Sequence, residues 1–154
     1  MSIGKNMQVF LKPDIKTKNH LICSLQNTYC RLRPSKIEGV GVFAIRTISK
    51  GINPFKGTDK QKWYALNISH LKHLNNEVLK MIDDFYVIDK HGNVLISEQA
   101  LNGMDISFFI NHSQRPNIKT IDGGFTFVTL RKIIKGEEIT VAYGTYDDKY
   151  GREE

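Results

Sequence analysis

The chain has 154 residues, 40% apolar and 25% charged, enough for one domain around one core. No apolar run reaches the roughly 18 to 20 residues of a membrane span. The lysine-dotted stretch Met1 to Lys18 lacks the apolar block of a secretory signal, so the expectation is an intracellular protein, cytoplasmic or nuclear. The formal charge of +6 is unevenly placed. Residues 1–36 hold Lys5, Lys12, Lys16, Lys18, Arg31, Arg33 and Lys36 against Asp14, whereas residues 37–154 hold 15 basic and 15 acidic residues. A basic end can steer a protein toward nucleic acid or an acidic partner. Here the cations are dispersed and lack interleaved aromatics, so a solvated tail is the plainer reading and direct nucleic-acid binding is not expected.

In chain order, residues 1–20 read as loosely ordered. Cys23 and Cys30 are too few for a four-ligand zinc site and read as idle or buried thiols. From Cys30 to Thr47, short apolar stretches alternate with polar residues and glycines, as strands and turns do. Ser49-Lys50-Gly51 reads as a turn, followed by a short strand toward Phe55. Thr58 or Asp59 is a candidate cap for a short helix through Trp63 and Leu66. A second helix is predicted from about Asn75 to Phe85, because Val78, Leu79, Ile82 and Phe85 share one face. Phe85 to Ile88 and Val94 to Ile96 flank Asp89-Lys90-His91-Gly92-Asn93 as a predicted hairpin. Phe125 to Leu130 and Ile139 to Tyr143 read as two further strands. The fold class predicted is β-rich α+β.

Three segments carry chemistry. In Glu38-Gly39-Val40-Gly41-Val42-Phe43-Ala44, two glycines permit positive φ and close approach to bare backbone. Alone this is also what a glycine bulge looks like. Without a third glycine or a following helix it is no dinucleotide fingerprint. In Asn111-His112-Ser113-Gln114-Arg115-Pro116-Asn117, a dense polar triplet follows an apolar run, and buried groups of that kind need partners. A capped turn is the bland alternative. His112 has no second ligand at useful spacing, so no metal is expected, and Ser113 beside His112 makes a poor hydrolase triad. No acidic cluster suits a nuclease's magnesium. In Lys135-Gly136-Glu137-Glu138-Ile139-Thr140-Val141-Ala142-Tyr143-Gly144, a turn leads into a strand ending at tyrosine and glycine. Seen alone, that tyrosine is a core residue with a wet hydroxyl.

Together, in this order and spacing, the three resemble the motifs of the SET-domain family of protein-lysine methyltransferases over about residues 30–147. The resemblance implies small curved sheets with a C-terminal pseudoknot, an exception to the usual avoidance of threaded loops. It divides the chain into a basic extension (1–29), the SET domain (30–147, with a helical insert at about 58–100) and a tail (148–154). It implies S-adenosyl-L-methionine as cofactor, held by Lys36, Gly39, Val40, Gly41, Asn111, His112, Tyr143 and Tyr146, with Tyr150 a second aromatic candidate. It implies Tyr143 as catalytic residue, and a substrate channel of Phe55, Tyr86, Phe109 and Tyr143. The implied partner is a protein presenting a lysine, of the histone-like, DNA-packaging or ribosomal kind.

Two positions depart from the family pattern. Phe55 stands where a tyrosine is common, and Ile118, Lys119 and Thr120 follow the Asn-His-Ser box where an aromatic is common. Both bear on how many methyl groups are added. They also keep open a second reading, a SET-like domain without catalysis that binds protein or nucleic acid.

Overall fold

The computed structural model describes residues 11–57 and 61–151. Helix α1 (Ile15–Gln26) occupies part of the stretch expected to be loosely ordered. Asp14 caps it, its Oδ1 accepting from Thr17 N at 2.7 Å, and a short acid at that position is a preferred helix start. No residue of α1 is buried, which is why no apolar face announced it. The remainder of that expectation, residues 1–10, lies outside the described residues.

A four-stranded sheet forms the centre. Strands β1 (Cys30–Pro34) and β2 (Val40–Ala44) pair antiparallel, with Cys30 opposite Ala44 and Pro34 opposite Val40. Gly39, at φ +46°, closes the turn between them, and Ser35 N donates to Gly39 O at 2.9 Å. The sheet order is β1-β2-β8-β5, where β5 is Asn111–His112 and β8 is Glu138–Val141. The last strand thus lies between two earlier ones, antiparallel to β2 and parallel to β5. Strand β8 stops at Val141, two residues short of the predicted end, and Tyr143 opens a single 3-10 turn instead.

Two smaller sheets flank this one. Strand β3 (Trp63–Asn67) pairs antiparallel with β4 (Asn93–Ser97), and β6 (Ile118–Thr120) with β7 (Phe127–Thr129). The expected helix through Trp63 and Leu66 is therefore a strand, and its proposed caps, Thr58 and Asp59, lie outside the described residues. Pairing with β4 settles a segment too short for its period to decide, since strand preference depends on cross-strand context. Helix α2 (Asn76–Phe85) forms as predicted, with Asn75 Oδ1 accepting from Glu77 N at 2.8 Å. The predicted hairpin after it reduces to one bridge, Ile88 to Val94. Val94 is committed to β3, while Asp89 Oδ1 accepts from both His91 N and Asn93 N to hold the turn. The segment expected as a helical insert thus carries a two-stranded sheet as well as α2. The strand expected toward Phe55 is a turn, in which Asn53 Oδ1 accepts from Phe55 N at 2.8 Å.

The core has two parts. One joins the central sheet to Ile48, Phe55, Ile110, Ile118, Phe127 and Ile133. The other packs Ile82, Tyr86 and Val94 with Trp63, Phe85 and Phe108 around α2 and β3–β4. Cys30 is buried in the first part and Cys23 is exposed on α1; both are free thiols. Burial pushes the Cys30 thiol up to about 12, so it stays protonated. The small sheets and few helices are those of the expected β-rich fold.

Candidate active site

Strands β5 and β8 run parallel, with Asn111 beside Thr140 and His112 beside Val141. That register brings the Asn-His pair against the segment that follows β8. Tyr143 N donates to His112 Nδ1 at 3.1 Å, and the two rings stand 5.3 Å apart. Because Nδ1 accepts, the neutral imidazole carries its proton on Nε2. The Asn111 side chain turns the other way. Its Nδ2 lies 3.1 Å from Glu38 O and 3.2 Å from Val40 O, carbonyls of the glycine turn. Residues separated by about a hundred positions in the chain therefore meet within two side chains of each other.

Asn117 fixes β8 in this place. It is buried, its Nδ2 donating to Glu138 O at 2.7 Å and its Oδ1 accepting from Thr140 N at 2.9 Å. The polar box, for which a capped turn is the bland alternative, is thus partly a clamp on the central strand.

The Tyr143 hydroxyl donates to Ile110 O at 2.6 Å. Burial, then Tyr150 and Glu38, push its pKa up to about 12. It therefore stays protonated near neutral pH, with its proton committed to a carbonyl and its oxygen lone pairs left as acceptors. The Tyr150 ring packs edge-on against Tyr143 at 4.9 Å. Tyr146 lies 6.3 Å from Tyr143 and 6.2 Å from Phe127, and burial pushes its hydroxyl upward too.

Tyr143, Tyr146 and Tyr150 line one side of a cavity of about 930 Å³. Its other walls come from the β3–β4 region, from α2 and from the β6–β7 turn, including Trp63, Tyr86, Phe108 and Phe125. Among the described lining residues Asp84, Asp89, Asp105, Asp122 and Asp147 are acidic, and none is a lysine or arginine. The near-neutral charge of residues 37–154 hides this local concentration.

Of the residues expected in a channel, Tyr86 and Tyr143 line this cavity, and Tyr86 Oη donates to Ala100 O. Phe55 and Phe109 do not. Phe55 is buried in the core edge-on to Phe127, and Phe109 packs against Phe85. Each ring lacks a hydroxyl that would draw it toward a wet surface. Lys36 is exposed in the bend between β1 and β2, next to Ser35. The residues that sequence reasoning missed are Ser35, Asn117 and Glu138. Asn117 and Glu138 fall within the motif segments, but the sequence gives no sign of their partners, which are set by strand placement.

The SET-domain family model matches residues 39–144. The chain belongs to the SET-domain family, whose members are generally protein-lysine methyltransferases using S-adenosylmethionine. No curated protein sequence matches the chain. Among solved structures, a Plasmodium falciparum protein provisionally identified as a histone methyltransferase aligns with a TM-score of 0.48 at 17% identity. The alignment covers 76% of this chain and 94% of that one.

Proposed function

We propose that this chain transfers the methyl group of S-adenosylmethionine to the ε-amine of a lysine in a protein substrate. The observation that carries the reading is the convergence of the glycine turn with Asn111 and of His112 with Tyr143, the tyrosine also lining an aromatic cavity with five aspartates.

The residues present suit the cofactor. Carbonyl and amide acceptors around the glycine turn match its ammonium, and a Cβ at Gly39 would meet nothing within 4 Å, so the turn is open. Lys36 is available for its carboxylate, and His112, Tyr146 and Tyr150 for its adenine. When bound, the cofactor supplies a methyl group on a sulfonium, which is a good leaving group.

The chain's own work is alignment and exclusion of water. Holding two reactants in line is worth up to about 7 to 11 kcal/mol in favourable cases. Tyr143, protonated and donating to Ile110 O, is no general base. Its oxygen instead accepts, orienting the amine or the methyl hydrogens through contacts worth about 0.5 to 1 kcal/mol each. A free lysine has a pKa of about 10.4. The rings of Trp63, Tyr86, Phe108 and Phe125 give the cavity apolar wall, and a lysine amine desolvated against them is shifted toward its neutral form. The aspartates around the same cavity favour a cationic segment flanking the target lysine, so a basic substrate is the better fit.

One observation favours the second reading, a SET domain that binds without catalysis: Phe55 lies in the core and adds no hydroxyl to the cavity. Tyr143→Phe separates the two. With radiolabelled cofactor and a mixed lysate, the wild-type chain is expected to label a protein band. The variant is expected to lose about 10²-fold in turnover while its calorimetric affinity for S-adenosylhomocysteine stays within a few fold. An unlabelled lysate, despite cofactor binding, would support the binding module. Equal loss of binding and turnover in the variant would remove Tyr143 from the chemistry.

A further inference from the structure

The charge of this chain is divided between two places. Its basic excess lies in residues 1–36, while residues 37–154 balance at 15 basic and 15 acidic. Within that balanced part, five aspartates surround the cavity that Tyr143 lines, and none of its described lining residues is a lysine or arginine. The aspartates come from separate walls. Asp84 belongs to α2, Asp89 and Asp105 precede and follow β4, Asp122 lies in the β6–β7 turn, and Asp147 follows Tyr143. A recess ringed by one sign of charge focuses its field and draws in the opposite sign.

The stretch from Leu11 to Lys18 carries that opposite sign. Lys12, Lys16 and Lys18 are exposed there, against the single acid Asp14. Lys12 stands ahead of α1, and Pro13 disfavours helical backbone at the residue before it. Among the described residues Lys12 forms no ion pair. An exposed lysine on extended backbone has the form of a peptide that enters a cleft beside a strand. Lys16 and Lys18 follow on the first turn of α1, placed to meet carboxylates at the mouth.

Helix α1 buries no residue, and its far end is tied down by Arg46, whose Nη2 donates to Gln26 O. It carries Lys12 outside the lining of its own cavity. A second copy brings the lysine in with the helix intact.

We propose that a second copy of this chain is a substrate, with Lys12 as the acceptor in the cavity with five aspartates. The neutral ε-nitrogen of Lys12 forms the new C–N bond as the C–S bond of the methyl donor breaks. The electron pair of the broken bond stays on sulfur, leaving a thioether, and the surplus proton on nitrogen passes to water. This rests on the proposed function, and the test keeps the two apart.

The full chain, at several concentrations, is incubated with deuteromethyl-labelled S-adenosylmethionine and mapped by tandem mass spectrometry. Label is expected on Lys12, at an initial rate per chain that rises in proportion to protein concentration. Lys12→Arg, which keeps the charge, is expected to lose most of the label while still labelling a lysate band. A binding measurement stands beside activity. A fluorescent peptide of residues 8–19 is titrated by anisotropy with the chain holding S-adenosylhomocysteine. It is expected to bind wild type, more weakly as salt rises. The double variant Asp105→Asn with Asp122→Asn is expected to bind it about three- to tenfold more weakly. Its amide oxygens can still accept from Ser107 N and Thr126 N, so charge is removed and the turns are kept. Label on another lysine instead, a rate per chain independent of concentration, or a peptide that fails to bind or binds both proteins equally overturns the proposal. The proposed function then stands if a lysate band is labelled. A chain that labels neither itself nor any lysate protein overturns both.

Discussion

Replacing Gly41 by alanine tests the packing at the centre of the site without removing a polar group. The new Cβ would fall 2.1 Å from Glu138 Oε1, 2.8 Å from Cδ and 3.1 Å from Asn111 Nδ2. The first two distances cannot coexist with a carbon, so the carboxylate must swing away from Ser35 and Asn111. Hydrogen bonds to a charged group contribute about 1.5 to 3 kcal/mol each, but the freed carboxylate regains water, so a net loss of about 2 to 3 kcal/mol is reasonable. Alanine in place of glycine in a strand returns about 0.5 to 1 kcal/mol. The expected cost is then about 1 to 2 kcal/mol, or roughly 2 to 8 °C in unfolding midpoint for a chain of this size. Calorimetric unfolding of Gly41→Ala, Glu138→Ala and the double variant gives the decisive quantity. Once Glu138 is gone, the alanine has nothing to displace. The double variant should therefore match Glu138→Ala or exceed it, a coupling of about 1 to 2 kcal/mol. Costs that simply add, to within about 0.5 kcal/mol, would show that Glu138 does not occupy the space above Gly41.

Further outcomes follow from the same contacts. Asn117→Ala removes two hydrogen bonds from β8 and leaves Thr140 N and Glu138 O unpaired in a buried place, at about 2 to 3 kcal/mol; a midpoint lowered by less than about 3 °C in thermal unfolding would deny Asn117 its clamping role. The Tyr143 pKa is raised from its ordinary value to about 12, first by burial. The native state therefore holds that proton more tightly, and the associated stability is present below pH 10 and lost as pH rises from there through 12. The methylation rate should correspondingly rise with pH up to about 10 as the substrate lysine loses its proton, and a falling limb centred near 10 would contradict a raised tyrosine. Asp84 lies in the last turn of α2, where the helix dipole disfavours a negative charge, and among the described residues its ion-pair partner is exposed Lys80. Asp84→Asn should leave stability unchanged while raising KM for a lysine- and arginine-rich peptide about two- to fivefold at low salt, with kcat unaltered; equal KM values for both proteins would remove Asp84 from substrate contact.

The parts legible in the sequence are those in which local pattern and burial agree. Helix α2 combines an Asn75 cap with Val78 and Ile82 facing the second core, so period and packing point the same way. Strands β1, β2, β7 and β8 fall where alternation and glycine punctuation set them. Helix α1 was not legible, because it buries nothing and its apolar residues meet solvent. Strand β3 was not legible, because Tyr64 and Leu66 are exposed and pairing with β4, about thirty residues away, holds it extended. The motifs named the segments of the site but not its internal partners. Ser35 and Glu138 are 103 positions apart, and no spacing rule connects them.

The reason lies in the order of the central sheet. Strand β8 is the last to be made and occupies the middle, between β2 and β5. Each side of it builds one half of the site. Toward β2, Glu138 meets Ser35, Gly41 and the Asn111 amide, which also reaches the carbonyls of the glycine turn; toward β5, the parallel register sets His112 against Tyr143. Neither half exists until β8 is in place, and Asn117 holds it there through backbone groups of Glu138 and Thr140. Placement of one strand thus sets both the glycine turn and the tyrosine. A residue that loosens β8 should degrade ligand affinity and turnover together, whereas Tyr143, acting beside a strand already in place, should separate them.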